Sequence, residues 1–176
     1  TSTSIRVGIV GAGTNSRVRH IPGFQALEGV EVVAVANRSI ASGQRVADEF
    51  GIAQVFGSWQ ELVHSPDIDA ICIGTWPYMH CTVTLAALEA GKHVLTEARM
   101  AMDATEAKTM LQASRRHPGL VTQVVPYPGT FKVDSTIQDL IASDYLGRLI
   151  AMDLRATQRG FPDFGGPLHW RQDRVV

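Results

Sequence analysis

The residues best suited to chemistry begin at Gly11-Ala12-Gly13. They follow the apolar run Ile5-Arg6-Val7-Gly8-Ile9-Val10 and precede polar Thr14-Asn15-Ser16, which opens a helical pattern. A strand, a glycine turn and a helix start in that order suit the pyrophosphate of a dinucleotide. Gly11 allows the tight turn, and Gly13 removes the side chain that would block the anion. The helix start offers N–H groups without intrahelical partners to a negative charge. A phosphate there gains about 0.3–1 kcal/mol from the helix dipole, and about 2 kcal/mol when partly buried. The third glycine of the usual G-x-G-x-x-G is Ser16, small enough to let helix and strand approach closely.

A second group ends the next apolar run. An acidic residue there would hold both ribose hydroxyls of NAD and repel a 2′-phosphate. This chain has Asn37, Arg38 and Ser39 instead. An amide, a guanidinium and a hydroxyl suit phosphate oxygens, which favours NADP over NAD. The alternative is that Arg38 only stacks on adenine, which serves either cofactor. Six histidines are spread singly, and the two cysteines form no ligand pattern with them, so no metal site is expected. No nucleophile-elbow sequence accompanies the serines, so a hydrolase triad has no support.

These residues must be held by a scaffold, and the chain alternates strand and helix patterns with short connections. Strands are expected at Ile5–Val10, Val30–Ala36, Ala53–Phe56, Ile68–Gly74, His93–Thr96 and Leu120–Val125. The run Ile68–Gly74 has no polar face beyond Asp69, as a central parallel strand requires. Helices are expected from Thr14, at Ala41–Phe50 with Gly51 as its stop, from Ser58 to His64, at Cys81–Ala90 and at Asp103–Arg116. Right-handed crossovers then give an α/β fold with a doubly wound parallel sheet. Near residue 126 the pattern changes: Pro126 and Pro128-Gly129 are followed by a helix over Val133–Ser143. A strand of alternating polarity is expected over Arg148–Thr157. The expected division is a nucleotide-binding domain, 1–126, and the beginning of a second domain, 127–176, that is cut short. Tyr127 follows the sixth strand, where a cleft between domains would open; its phenol is either a proton donor or a packing residue.

Composition agrees with an ordinary globular chain of 176 residues, 45% hydrophobic and 19% charged. A net charge of −1 gives no reason to expect nucleic acid or an anionic membrane as partner. No apolar run is long enough to cross a bilayer. Cys72 and Cys81 read as reduced core residues, and the chain reads as cytoplasmic.

A resemblance becomes specific at residues 67–101. Asp67-Ile68-Asp69-Ala70-Ile71-Cys72-Ile73-Gly74-Thr75 leads into Trp76-Pro77-Tyr78-Met79-His80. Ala87-Leu88-Glu89-Ala90-Gly91-Lys92-His93-Val94-Leu95-Thr96-Glu97 follows. These segments are similar to the Gfo/Idh/MocA family, the glucose–fructose oxidoreductase and inositol dehydrogenase group, and the resemblance runs from Ile5 to Arg171. It implies a Rossmann domain followed by a large sheet domain, mainly antiparallel α+β, carrying part of the substrate site. It also implies NADP or NAD as cofactor and a sugar, glycoside or cyclitol as substrate. In the full-length form it implies a homodimer or homotetramer joined through the second-domain sheet.

The same resemblance makes Thr75, Trp76 and Pro77 wall residues for ribose and nicotinamide, with a core role for Trp76 as the alternative. It places His80 at the family's Pro-x-x-His position facing the ribose, with a capping or core role as the alternative. His20 matches a histidine seen in the family and reads as structural. Trp170-Arg171 falls where family members carry an arginine near the cofactor. One departure stands out: where the family has Glu-Lys-Pro, this chain has Glu97-Ala98-Arg99. In the family that lysine helps handle the hydroxyl proton in concert with an Asp and a His of the second domain; Ala98 has nothing to donate or accept. Arg99 is a poor general base, and either orients a substrate oxygen or is a surface residue. The catalytic candidates are therefore Glu97, Tyr127 and Arg171. The cofactor-binding candidates are Gly11, Ala12, Gly13, Thr14, Asn15, Asn37, Arg38, Ser39, Thr75, Trp76, Pro77, His80 and Glu97. Two functions fit: hydride transfer between nicotinamide and a sugar-like hydroxyl, or a dinucleotide-binding sensor without redox turnover. Residues 1–176 alone are expected to bind cofactor without turnover.

Overall fold

The computed structural model describes residues 4–125, 133–153 and 155. The chain divides into two compact units, Thr1–Pro126 and Tyr127–Val176.

In the first unit six strands form one parallel sheet: β1 (Ile5–Val10), β2 (Val30–Ala36), β3 (Gln54–Phe56), β4 (Ala70–Ile73), β5 (His93–Thr96) and β6 (Thr122–Val124). Their order is β3-β2-β1-β4-β5-β6, and every neighbouring pair is parallel. The chain turns outward in opposite directions from β1 and β4, which leaves a crevice at the carboxyl ends of those two strands. The connecting helices are α1 (Ile21–Gln25), α2 (Ile40–Phe50), α3 (Trp59–His64), α4 (Pro77–Glu89) and α5 (Ala104–Arg116).

Both faces of the sheet are buried, which is why its strands read as nearly continuous apolar runs. On one face Val7, Ile9, Val35 and Cys72 pack with Ile21 of α1 and Val46 and Ala47 of α2. On the other, Val10, Ile71, Ile73 and Val94 pack with Leu62, Val63, Val83, Leu88 and Ala113 of α3, α4 and α5. Each fully buried valine, leucine or isoleucine among them contributes about 1.5–3 kcal/mol.

Local chemistry sets the helix bounds. Ser39 caps α2, its Oγ accepting from Ser42 N–H at 3.3 Å, and Gly51 ends that helix at φ +68°. Ser58 caps α3 in the same way, and Asp103 caps α5 by accepting from the N–H groups of Thr105 and Glu106. Helix α4 starts at Pro77, four residues ahead of the expected Cys81, because proline suits a first helical turn where no N–H is needed. Between β1 and α1 the chain winds as a π-helix over Ser16–His20, with Ile21 N–H donating to Ser16 O. Pro22 gives the reason: its ring would clash with the carbonyl four residues back, and it has no N–H to give. The wider turn accommodates both.

At the amino ends of the strands, Arg6 and Asp69 join β1 to the entry of β4. Asp69 Oδ2 accepts from Arg6 N–H at 2.8 Å and from Arg6 Nε at 3.0 Å, and Oδ1 accepts from Nη2 at 2.8 Å. These bonds from the guanidinium, against the opposing cost of burial, hold the Asp69 carboxyl down at about 2. Beside them Lys92 Nζ donates to Ser65 O and Ile68 O at 2.9 and 2.6 Å.

In the second unit α6 spans Asp134–Ala142. The strand expected over Arg148–Thr157 is corrected: residues 148–153 and 155 carry no strand. Alternating polarity makes a strand only where a neighbour completes its hydrogen-bond ladder.

Candidate functional site

The carboxyl ends of β1, β2 and β4 surround a cavity of about 620 Å³, lined by the glycine loop, Asn37, Arg38, Ser42, Trp59, Thr75, Trp76, Tyr78 and Met79, among others. The loop is built by specific constraints. Gly11 has φ +83°, and a Cβ there would lie 2.7–2.9 Å from Thr75, backbone included. Gly74, just past β4, is equally required: a Cβ would sit 2.1 Å from Ser16 Oγ and 2.6 Å from Gly11 O. Ser16, almost wholly buried, donates its hydroxyl to Gly11 O at 3.1 Å.

Gly13 differs from both. A Cβ there would meet only Gly74 O at 3.9 Å, so the protein itself does not demand a glycine. The exposed space beside Gly13 is the cradle that a side chain would fill and a pyrophosphate needs. The residues present therefore fit a dinucleotide. Thr14 and Asn15 are exposed where the helical segment begins.

At the carboxyl end of β2 the structure revises the expected phosphate cluster. Asn37 Oδ1 accepts from Ala12 N–H at 2.7 Å, and its Nδ2 donates to Ser42 Oγ at 3.1 Å. Asn37 thus fastens the glycine loop to α2, and its amide is spent inside the protein. The Ser39 oxygen is engaged in capping α2. Arg38 is exposed and lines the cavity with Ser42, whose hydroxyl oxygen already accepts from Asn37 and so keeps its proton to donate. Sequence reading missed Ser42, Trp59, Gly74, Tyr78 and Met79. Only Gly74 carried a signal, a glycine closing an apolar strand.

Trp76 and Tyr78 are both half exposed on the cavity wall, in edge-to-face contact with centroids 6.0 Å apart. Thr75 lies beside them, but Pro77 is buried as the first residue of α4 and does not line the cavity. The expectation that His80 faces a ribose is corrected. His80 is 1% exposed, with Nδ1 2.7 Å from Arg99 O and Nε2 2.9 Å from Thr75 O. The ring thus lies between the loop after β4 and the loop after β5, where a neutral imidazole can donate to one of the two carbonyls.

Glu97 follows β5, its N–H donating to Ile73 O at 3.0 Å, which places it at the carboxyl ends of β4 and β5. It meets His20 and Asn15 there. Ala98 and Arg99 are exposed. Tyr127 and Arg171, with Trp170, lie outside the described residues. The two cysteines are free and buried, and burial pushes the Cys72 thiol up to about 12, which makes it unreactive at neutral pH.

Comparison with known proteins agrees with this geometry. Residues 5–124 match the model of the GFO_IDH_MocA oxidoreductase family, NAD-binding Rossmann fold. The chain is 37% identical over 146 residues to 1,5-anhydro-D-fructose reductase of Ensifer adhaerens, covering 83% of this chain and 43% of that protein. It is 32% identical over 166 residues to trans-1,2-dihydrobenzene-1,2-diol dehydrogenase of Danio rerio, covering 90% and 48%. Among solved structures, the 3-ketoreductase KijD10 of Actinomadura kijaniata, in complex with NADP and TDP-benzene, superposes with a TM-score of 0.69. Its sequence identity is 26%, covering 80% of this chain and 42% of that one. The chain spans less than half the length of these relatives. With its glycine loop, parallel sheet and switch-point cavity, the chain belongs to the Gfo/Idh/MocA family of NAD-binding Rossmann oxidoreductases.

Proposed function

We propose that the protein carrying this chain is an NAD(P)-dependent oxidoreductase moving hydride between nicotinamide and a ring hydroxyl of a sugar, glycoside or cyclitol. The observation that carries this reading is the open cradle at Gly13, set in a cavity with Arg38 and Ser42 at its adenosine end. A bound nicotinamide dinucleotide supplies the hydride acceptor or donor. The chain's own residues do the rest. The glycine loop and the helix start receive the pyrophosphate. Arg38 gives charge-assisted bonds, and Ser42 a hydroxyl donor, to a 2′-phosphate. Thr75, Trp76 and Tyr78 wall the path toward β5, and Glu97 stands where that path reaches the sheet's carboxyl edge. Ring alcohols and ketones as substrates accord with the names of the anhydrofructose reductase and the dihydrobenzenediol dehydrogenase among its relatives.

Titration calorimetry with NADP and with NAD tests the binding half of this reading. NADP is expected to bind the more tightly, and absence of heat with both would remove the reading. The reaction half is tested by nicotinamide absorbance on the full-length protein with sugars and cyclitols. A second reading rests on Ala98, which stands where the family motif has its lysine: a dinucleotide sensor that does not turn over. Binding without turnover by the full-length protein would favour it.

A further inference from the structure

Beyond the cavity, at the carboxyl ends of β4 and β5, two polar side chains converge on one oxygen of a third, Glu97. His20 Nε2 lies 2.5 Å from Glu97 Oε1. Asn15 Nδ2 donates to the same oxygen and is 3.5 Å from His20 Nε2. Glu97 Oε2 takes no hydrogen bond from the described residues. The His20 and Glu97 side chains are only 11% and 16% exposed. A carboxylate so far removed from water is costly unless hydrogen-bonded donors answer its charge. Here both donors fall on one oxygen, which leaves the other open to solvent and to an incoming group.

The backbone contributes to this aim. His20 is the last residue of the π-helical segment, and π turns occur often at functional positions. Other candidates near this edge are engaged or unsuited. Both nitrogens of His80 face backbone carbonyls, Arg99 keeps its proton, and Ala98 has none to exchange.

We infer that Glu97 is the proton-accepting residue of this site and that His20 and Asn15 are its positioning residues, an inference that rests on the oxidoreductase reading above. In the oxidative direction the substrate C–H bond breaks, and its hydrogen leaves with the electron pair for the oxidised nicotinamide. The substrate O–H bond breaks with its electrons staying on oxygen to complete the C=O bond, and the proton passes to Glu97 Oε2. In the reductive direction Glu97 returns that proton as hydride arrives at carbon. His20 Nε2–H and Asn15 Nδ2–H on Oε1 hold the carboxylate in place with its other oxygen turned outward.

The test uses Glu97→Gln, Glu97→Asp and His20→Gln, with two readouts. In the 176-residue chain, nitrogen-15 NMR should show a hydrogen-bonded His20 Nε2–H that exchanges slowly with solvent and is lost in Glu97→Gln while the backbone spectrum stays native. In the full-length protein, Glu97→Gln should lower kcat at least 100-fold, the size expected for general acid–base catalysis. KM for the dinucleotide should change no more than about threefold. Glu97→Asp should recover part of the loss, and His20→Gln should cost about tenfold in kcat. An exposed, fast-exchanging His20, or a Glu97→Gln enzyme with unchanged kcat, would overturn the inference while leaving the oxidoreductase reading intact. Dinucleotide binding with no turnover of any sugar or cyclitol by the unaltered full-length protein would overturn both.

Discussion

The two ends of the sheet are built on opposite principles. At the amino ends, Arg6, Asp69 and Lys92 spend their charged groups on the protein itself, linking β1 to the entry of β4 and its preceding loop. At the carboxyl ends the sheet runs out into glycines, a cavity and a carboxylate with one oxygen open to solvent. Strand β1 contains both solutions, Arg6 near its start and Gly11 just past its end. One end is closed for stability, and the other keeps polar groups and space in reserve for a ligand. The lesson is that a group's partners, more than its type, separate scaffold from site.

The sharpest test of that contrast is Gly13→Val. Its new side chain has room in the free protein but fills the pyrophosphate cradle. Dinucleotide affinity should fall about 100-fold, near 2.7 kcal/mol, while the melting temperature stays close to that of the parent. A matching loss of stability would show that Gly13 serves the fold after all.

Asp69→Asn should do the reverse. Losing the charged partner of Arg6 should cost about 1–2 kcal/mol, at the low end for charge-assisted bonds because the pair is about one-third exposed. Dinucleotide affinity should not change. The pH dependence has a definite sign. The Asp69 carboxyl lies at about 2 in the folded chain, below its usual value of 3.8. Its stabilisation is therefore full above about pH 4 and is lost as pH falls toward 2. Denaturant melts from pH 5 to pH 2 should show the gap between parent and variant closing. A constant gap would assign the effect to shape instead of charge.

Arg38→Ala carries the smallest expected effect, about tenfold weaker NADP binding, or about 1.4 kcal/mol, with NAD affinity nearly unchanged. Equal weakening of both cofactors would mean that Arg38 stacks on adenine without reading a 2′-phosphate.

The scaffold was legible because its signals are local. Buried parallel strands give continuous apolar runs, and caps such as Ser58 and Asp103 stand in sequence next to what they cap. The glycine loop was legible for the same reason. What the sequence concealed depends on contacts between distant residues. Asn37 is spent on Ala12, 25 positions away, and His80 on the carbonyl of Arg99, 19 positions away. Glu97 meets His20 across 77 positions. Residue type shows what such a side chain can bond, but only the folded chain shows what it has bonded already. Trp59 was missed for a related reason: it opens α3 in an otherwise ordinary amphipathic stretch, and only the sheet order brings it to the cavity.

The cavity wall carries one more consequence. The sequence has three tryptophans, and two of them, Trp59 and Trp76, line the cavity. Indole emits light in the range that reduced nicotinamide absorbs, so a reduced dinucleotide seated there is an energy acceptor beside both rings. With Trp170 changed to phenylalanine, every photon the chain emits on indole excitation comes from that wall. The scaffold then acts as its own optical indicator, dimming as the cleft fills.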